Sequence, residues 1–455
     1  MNPRVFREYD IRGNADLDLD DDFVRQLGHA IAASSGDGPI AVGRDCRVTS
    51  PRLRAALIDG ITRAGNDVID VGVVPTPVLY YAPFLWDLAG AVIITGSHNP
   101  APDNGFKVLR GRESIHGDQI RALRTAIESG ELRPAETPGS VEQRDLVGPY
   151  LDHAAGRIEL GDRRFKVVVD AGNGAGGPTA VALYERLGFE VVPLYCDMDG
   201  TFPNHHPDPT VEKNVADLRQ RVKAEAAELG IALDGDADRI GVVDGQGRIL
   251  WGDQIMILFG RAIAREQPGA KFIGEVKCSQ ALFDEIEKAG GEPLMWKVGH
   301  SLIKAKMKEI GAALGGEMSG HIFFANRYLG FDDGIYSGAR LLELLSRDHT
   351  SLAQMYDTLP VMVNTPEIRI ECPDDIKFDV VARTTGTLRA RDDVTGVVDV
   401  DGARANFGDG WGLVRASNTQ PALVVRCEAE TAERLEQIQN IIEAEIRAAR
   451  GVAPA

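Results

Sequence analysis

Ile40-Ala41-Val42-Gly43-Arg44-Asp45 is an apolar run that ends in polar residues. A helical pattern from Pro51 to Arg63 follows, then a second apolar run from Asp67 to Val71. Strand, helix and strand in this order make a βαβ unit of about 30 residues. The order returns in Val167-Val168-Val169-Asp170, a helix near Thr179 to Leu187 and a strand from Phe189 to Leu194. It returns again in Phe272-Ile273-Gly274-Glu275-Val276, a helix near Gln280 to Ala289 and a strand from Pro293 to Trp296. Three separated copies predict three α/β domains built alike.

The last stretch differs. Asp374 to Arg389 reads as a helix. Val397 to Val400 and Ala403 to Phe407 flank Asp401-Gly402, a hairpin signal. Strands Gly412 to Ala416 and Ala422 to Cys427 follow. A helix then runs from Thr431 to Ala449, with Leu435, Ile438, Ile441 and Ile442 at helical spacing. Strands grouped between helices predict an α+β domain. The expected domains are 1–147, 148–250, 251–363 and 364–455.

At 455 residues the chain is too long for one core. Its net charge of −18 argues against general affinity for nucleic acid or anionic membrane. Arg and Lys that meet an anionic substrate must therefore be concentrated locally. The five cysteines are scattered, with no CxxC pair, so reduced thiols in a cytoplasmic protein are expected. The first residues hold no apolar signal-peptide core, and no apolar stretch is long enough to span a membrane.

A strand from Ala91 to Ile94 leads into Thr95-Gly96-Ser97-His98-Asn99-Pro100. Gly96 permits a tight turn and Pro100 ends regular structure. Read alone, this is an ordinary polar turn. It is not G-x-S-x-G, and in extended chain His98 points away from Ser97, so no acyl-transfer dyad is expected. If Ser97 carries a phosphoryl group, the protein need supply only charge and position. Lys107, after Asn104-Gly105-Phe106, is placed to return to the same pocket as a proton shuttle.

The strand Ile231-Ala232-Leu233 runs into Asp234-Gly235-Asp236-Ala237-Asp238-Arg239. Alternation turns three carboxylates toward one side. Crowded carboxylates raise one another's pKa, and a bound cation removes that cost. The EF-hand pattern fails, because Arg239 stands at the sixth position and Gly245 at the twelfth. All-oxygen ligands favour Mg²⁺ completed by a phosphate oxygen over zinc.

Two further loops are polar. In Gly316-Glu317-Met318-Ser319-Gly320-His321, the residues Glu317, Ser319 and His321 alternate and can read adjacent sugar hydroxyls. In Arg415-Ala416-Ser417-Asn418-Thr419-Gln420-Pro421, one guanidinium and several donors suit a phosphate. Arg12, Arg44 and Arg47 read alone as ion-paired surface groups. Lys277 and His300 each follow an apolar strand. The glycine-rich turn from Asp170 to Gly177 has no P-loop Lys-Ser/Thr after it and reads as a structural turn.

Phe6 to Gly13, Thr95 to Pro100, Asn104 to Lys107, Asp234 to Arg239, Gly316 to His321 and Arg415 to Thr419 occur in the order of the α-D-phosphohexomutase superfamily. The chain resembles that superfamily along essentially its whole length. Its Gly-Glu-Met-Ser-Gly-His loop is similar to the bacterial phosphomannomutase/phosphoglucomutase group, whereas phosphoglucosamine mutases usually carry Gln at Met318. The resemblance implies four domains around a central cleft. It implies Ser97 as the phosphoserine, with Asp234, Asp236, Asp238 and a phosphoserine oxygen holding one Mg²⁺. Lys107 would be the general acid/base, helped by Arg12 and His300. Glu317, Ser319 and His321 would grip the sugar, and Arg415, Ser417, Asn418 and Thr419 the non-reacting phosphate. Tyr9, Asn99, Arg239 and Lys277 match further substrate positions. Val298 and Thr49 depart from the superfamily pattern, in which hydroxyl residues and serine respectively are common there.

The expected activity is interconversion of hexose 6-phosphate and hexose 1-phosphate, of mannose or glucose, through hexose 1,6-bisphosphate. The expected partners are small-molecule sugar phosphates, and the expected state is a monomer, with a dimer as the alternative. The alternatives are a phosphoglucosamine mutase, a serine-dependent phosphomonoesterase and a non-catalytic sugar-phosphate-binding protein.

Overall fold

A computed structural model describes residues 2–417 and 420–451. The chain forms two compact units, Met1–Ile255 with Ser319–Asp357, and Met256–Met318 with Thr358–Ala455. The helix Gly252–Glu266 carries the chain from the first unit into the second.

The first unit contains two sheets. In one, the strands Gly90–Ile94, Ile40–Arg44, Val68–Val73 and Val141–Gln143 lie parallel, and Asp103–Arg110 and Ile11–Asn14 extend it antiparallel. Gly90–Ile94 is buried throughout, as an apolar run covered on both faces must be. The predicted helix runs Ser50–Arg63, with Pro51 in its first turn and Leu53, Leu57 and Ile61 buried along one face. Ile93 pairs with Lys107 across Gly90–Ile94 and Asp103–Arg110. That register puts Lys107 beside the strand that ends at the Ser97 turn.

In the second sheet, Leu229–Leu233 lies parallel to Lys166–Asp170 and antiparallel to Ile240–Asp244. Leu233 pairs with Ile240, so the aspartates sit on the connection that closes this hairpin. Ala237 takes φ 60° there. The helix Gly334–Arg347 belongs to this unit, capped by Asp333, and the Tyr184 hydroxyl donates to Ile335 O at 2.9 Å.

The second unit holds the third βαβ pattern, Lys271–Glu275 parallel to both Glu292–Trp296 and Leu314–Gly316. Its remaining part is antiparallel. Ala422–Ala429 pairs with Gly410–Ala416, then Ala403–Asn406 and Gly396–Val398 follow. Thr431 caps the helix Ala432–Ala449, which buries Ile438, Ile442 and Ile446 against Val414 and Val425. Each such side chain stabilises the fold by about 1.5–3 kcal/mol. The hairpin at Asp401-Gly402 forms, but not as a two-residue turn. Val398 pairs with Arg404, which leaves five residues in the connection. The Asp401 carboxylate is engaged elsewhere in the same unit and shapes this wider loop.

The cysteines are free: Cys278, Cys372 and Cys427 are buried, and Cys46 and Cys196 are half-buried. Among the described residues no helix is long and apolar enough to cross a membrane.

Candidate active site

In the first unit, the turn after Gly90–Ile94 meets the loop after Leu229–Leu233. Ser97 is buried, and its Oγ donates to Asp234 Oδ2 at 2.8 Å. Ser97 takes φ 48°, in the left-handed region. This overturns the expectation that His98 points away. The chain is not extended at Ser97, and the turn brings His98 Nδ1 to 3.1 Å from Ser97 Oγ. Burial, then the charges of Arg239, Arg12 and His321, hold the His98 imidazole well below its ordinary pKa.

Asp234, Asp236 and Asp238 are fully buried, and each offers one oxygen within 4.8 Å of the others. Burial and then the charges of Asp236 and Asp238 push Asp234 well above the usual carboxylate range. Burial acts the same way on Asp238, but Lys107 and His321 outweigh it and hold Asp238 well below that range. Lys107 Nζ donates to Asp236 Oδ2 at 2.7 Å and also to Asp238 Oδ2. Burial disfavours the ammonium, yet the two carboxylates keep its pKa well above normal. Thr76 Oγ1 donates to the same Asp236 Oδ2 at 2.5 Å. Asp236 Oδ1 is buried and has no hydrogen-bond partner among the described residues. An unpaired buried oxygen is costly. Three clustered carboxylates, one with such an oxygen, form a donor set that suits a hard divalent cation.

Arg239 donates its backbone N–H to Asp234 Oδ1 at 3.1 Å. His321 Nε2 lies 3.2 Å from Arg239 Nε and from Asp238 Oδ1, and Ser319 Oγ lies 3.3 Å from His321 Nδ1. Asp332, which sequence reading missed, joins Asp238 and His321 in a second group of possible ligands. Arg12 donates to Asn99 Oδ1 at 2.7 Å and pairs with Asp10 at 2.6 Å. Tyr9 is half-buried beside Asp10. Arg47 is no surface group. It is fully buried, because its guanidinium is consumed by main-chain carbonyls around Ser97. Arg12 and Arg44 are half-buried.

In the second unit, Glu317 is buried and accepts the Gly299 N–H at 2.7 Å. Lys277 is 3.3 Å from Glu367 and 3.9 Å from Glu275. Burial opposes its charge, but these carboxylates raise its pKa. His300 opens the helix His300–Ile310. Arg415 is buried in the strand Gly410–Ala416, and its Nε and Nη2 each lie 3.0 Å from Asp401 Oδ2, which also accepts the Val298 N–H at 3.0 Å. Lys377 Nζ donates to Ser417 O at 2.6 Å. Asn418 and Thr419 lie outside the described residues. The sequence marks Asp401 only as a turn residue, and the contacts Asp401–Arg415, Glu367–Lys277 and Lys377–Ser417 join residues 14, 90 and 40 positions apart.

Family models match end to end: phosphoglucomutase/phosphomannomutase alpha/beta/alpha domain I over residues 3–133, domain II over 148–247, domain III over 251–362, and the C-terminal domain over 367–445. The chain therefore belongs to the phosphoglucomutase/phosphomannomutase family of α-D-phosphohexomutases, and it is an isomerase that acts on hexose phosphates. It is 46% identical to the phosphomannomutase/phosphoglucomutase of Pseudomonas aeruginosa over 456 aligned residues, covering 99% of this chain and 97% of that one. It is 44% identical to a phosphoglucomutase of Neisseria meningitidis, covering 97% and 96%. A crystal structure of a Burkholderia thailandensis phosphoglucomutase/phosphomannomutase family protein superposes with a TM-score of 0.93 at 43% identity, covering 100% of this chain and 99% of that one.

Proposed function

We propose that the enzyme interconverts the 6- and 1-phosphates of mannose and of glucose through phosphoserine at Ser97 and a hexose 1,6-bisphosphate. The phosphorus–Oγ bond breaks as a bond forms to the free sugar hydroxyl. The bisphosphate turns end for end and returns its other phosphoryl group to Ser97. Lys107, kept protonated by Asp236 and Asp238, gives its proton to the leaving Oγ and takes one from the attacking sugar hydroxyl. Arg12 and His300 assist. Asp234, Asp236 and Asp238 hold one Mg²⁺, which when bound supplies positive charge against the transferring group. The side chains around it bind and orient, and charge stabilisation dominates the rate.

Glu317, Ser319 and His321 read the sugar hydroxyls. Arg415, Ser417, Asn418 and Thr419 anchor the phosphate that is not reacting, with Tyr9, Asn99, Arg239 and Lys277 as further contacts. One reacting centre must serve both ends of the sugar, which explains an anchoring loop remote in sequence. The four family-model spans support boundaries at 147, 250 and 363. The protein acts as a cytoplasmic monomer; light scattering checks the monomer and cell fractionation checks the location.

The observation that carries this reading is the 2.8 Å contact between Ser97 Oγ and Asp234 Oδ2. Coupled assays with glucose 1-phosphate and mannose 1-phosphate, Mg²⁺ and trace bisphosphate test it. Turnover of both sugars, lost in Ser97→Ala, is expected. Inorganic phosphate released as fast as substrate disappears would identify a phosphomonoesterase instead.

A further inference from the structure

The guanidinium of Arg47 spends its hydrogen bonds on main chain from one loop. Nη1 donates to Pro100 O at 2.7 Å and Asp103 O at 3.0 Å, and Nη2 donates to Ser97 O at 2.7 Å and Asn99 O at 2.6 Å. The side chain is fully buried. Its charge is met by Asp45, whose Oδ2 lies 3.3 Å from Nε. The same Asp45 oxygen accepts the Gly96 N–H at 3.2 Å, and Asp45 Oδ1 accepts the Arg47 N–H at 3.0 Å. The Phe202 ring centre is 5.0 Å from the guanidinium carbon.

The loop is seated directly on this group. A Cβ at residue 96 would stand 2.6 Å from both Cζ and Nε of Arg47, so Gly96 is the residue that lets the backbone come so close. The next residue is Ser97, at φ 48°. A non-glycine residue in that conformation is strained and persists only where its surroundings over-determine it. Four carbonyls drawn to one planar fork are such surroundings.

We propose that Arg47 is a positioning residue for phosphoryl transfer, holding Ser97 in its left-handed turn so that Oγ faces Asp234. This rests on the reading of Ser97 as the phosphoryl carrier. Arg47 touches no reacting atom and leaves the affinity for sugar phosphate unchanged. A lysine cannot replace it. An ammonium offers three donors around a point, whereas guanidinium offers five in a rigid plane.

The test compares wild type, Arg47→Lys and Gly96→Ala, each purified, shown folded by near-ultraviolet circular dichroism, and phosphorylated with glucose 1,6-bisphosphate. Single-turnover transfer to glucose 1-phosphate should fall about 100-fold in both variants, the cost of a small misplacement at a reacting centre, while the dissociation constant for glucose 1-phosphate changes by less than about threefold. Transfer at the wild-type rate in folded Arg47→Lys overturns the proposal, as does a loss expressed mainly in affinity. If neither variant folds, Arg47 is a folding residue and the proposal also falls. Peptide mass analysis separates the two readings. Wild type that never carries phosphate on Ser97 refutes the role of the serine itself, whereas phosphorylated Arg47→Lys with normal transfer refutes only the role of Arg47.

Discussion

Ser97 Oγ and Asp234 Oδ2 stand 2.8 Å apart although 137 positions separate them in the chain. The contact joins the turn of one sheet to the hairpin loop of another. It places the hydroxyl at the edge of three buried carboxylates, where burial and then the charges of Asp236 and Asp238 push the pKa of Asp234 upward.

Asp234→Asn should therefore separate folding from metal binding. Removing a carboxylate that its neighbours penalise leaves the metal-free protein at least as stable as wild type. The same change weakens Mg²⁺ binding, because a hard cation loses an anionic ligand. Wild type at 100 times its dissociation constant for Mg²⁺ gains about 2.7 kcal/mol of stability. Thermal melts with and without Mg²⁺ should show that gain in wild type and little of it in Asp234→Asn. Equal Mg²⁺-induced shifts in the two proteins would contradict the assignment.

Lys107→Met tests the ammonium that stands among the carboxylates. Lys107 pairs with Asp236 and Asp238. Its loss leaves buried charge uncompensated, a change that costs about 3–5 kcal/mol. Added Mg²⁺ should restore much of the lost stability and bind no more weakly than to wild type, since it no longer shares the carboxylates with an ammonium. Turnover should stay low even when metal is saturating. Denaturant melts and calorimetric titration with Mg²⁺ read both effects.

The parts legible in the sequence are those whose cause is local. Apolar runs broken by polar turns located all three βαβ patterns, and Asp234, Asp236 and Asp238 stood out as carboxylates at every second position, although what gathers them is a turn with Ala237 at φ 60° rather than an extended run. Arg47 was not legible, because its partners are carbonyls, which every residue carries. His98 was misread because an extended chain was assumed where Ser97 turns left-handed. Asp401 was read as a turn residue. Its second task, holding Arg415, depends on a strand pairing that no short stretch of sequence encodes.

Asp401→Asn tests that second task. Arg415 meets one carboxylate oxygen twice, through Nε and Nη2 at 3.0 Å. An amide oxygen is a weaker acceptor for a cation. A hydrogen bond to a charged group is worth about 1.5–3 kcal/mol, so losing part of one should raise KM for hexose phosphate about 10-fold. If Arg415 anchors the phosphate that does not react, kcat should change far less than KM. A fall in kcat with constant KM would place Arg415 at the transferring phosphate instead.

The pair His205 and Asp170 should make stability depend on pH. His205 Nε2 lies 3.0 Å from Asp170 Oδ2 in the first unit. Burial alone would lower the imidazole pKa, but the hydrogen bond and charge of Asp170 raise it above its ordinary 6.5. Because the folded value exceeds the unfolded one, the folded state binds the extra proton. Its stabilisation is fully present below the unfolded pKa and fades as pH rises through the folded pKa. Urea midpoints should therefore decline as pH rises from about 6.5 through the folded pKa of His205. His205→Gln should be less stable than wild type at pH 6, with the difference shrinking as pH rises through the folded pKa. A difference that stays constant across that range would show that the pair acts through packing rather than charge.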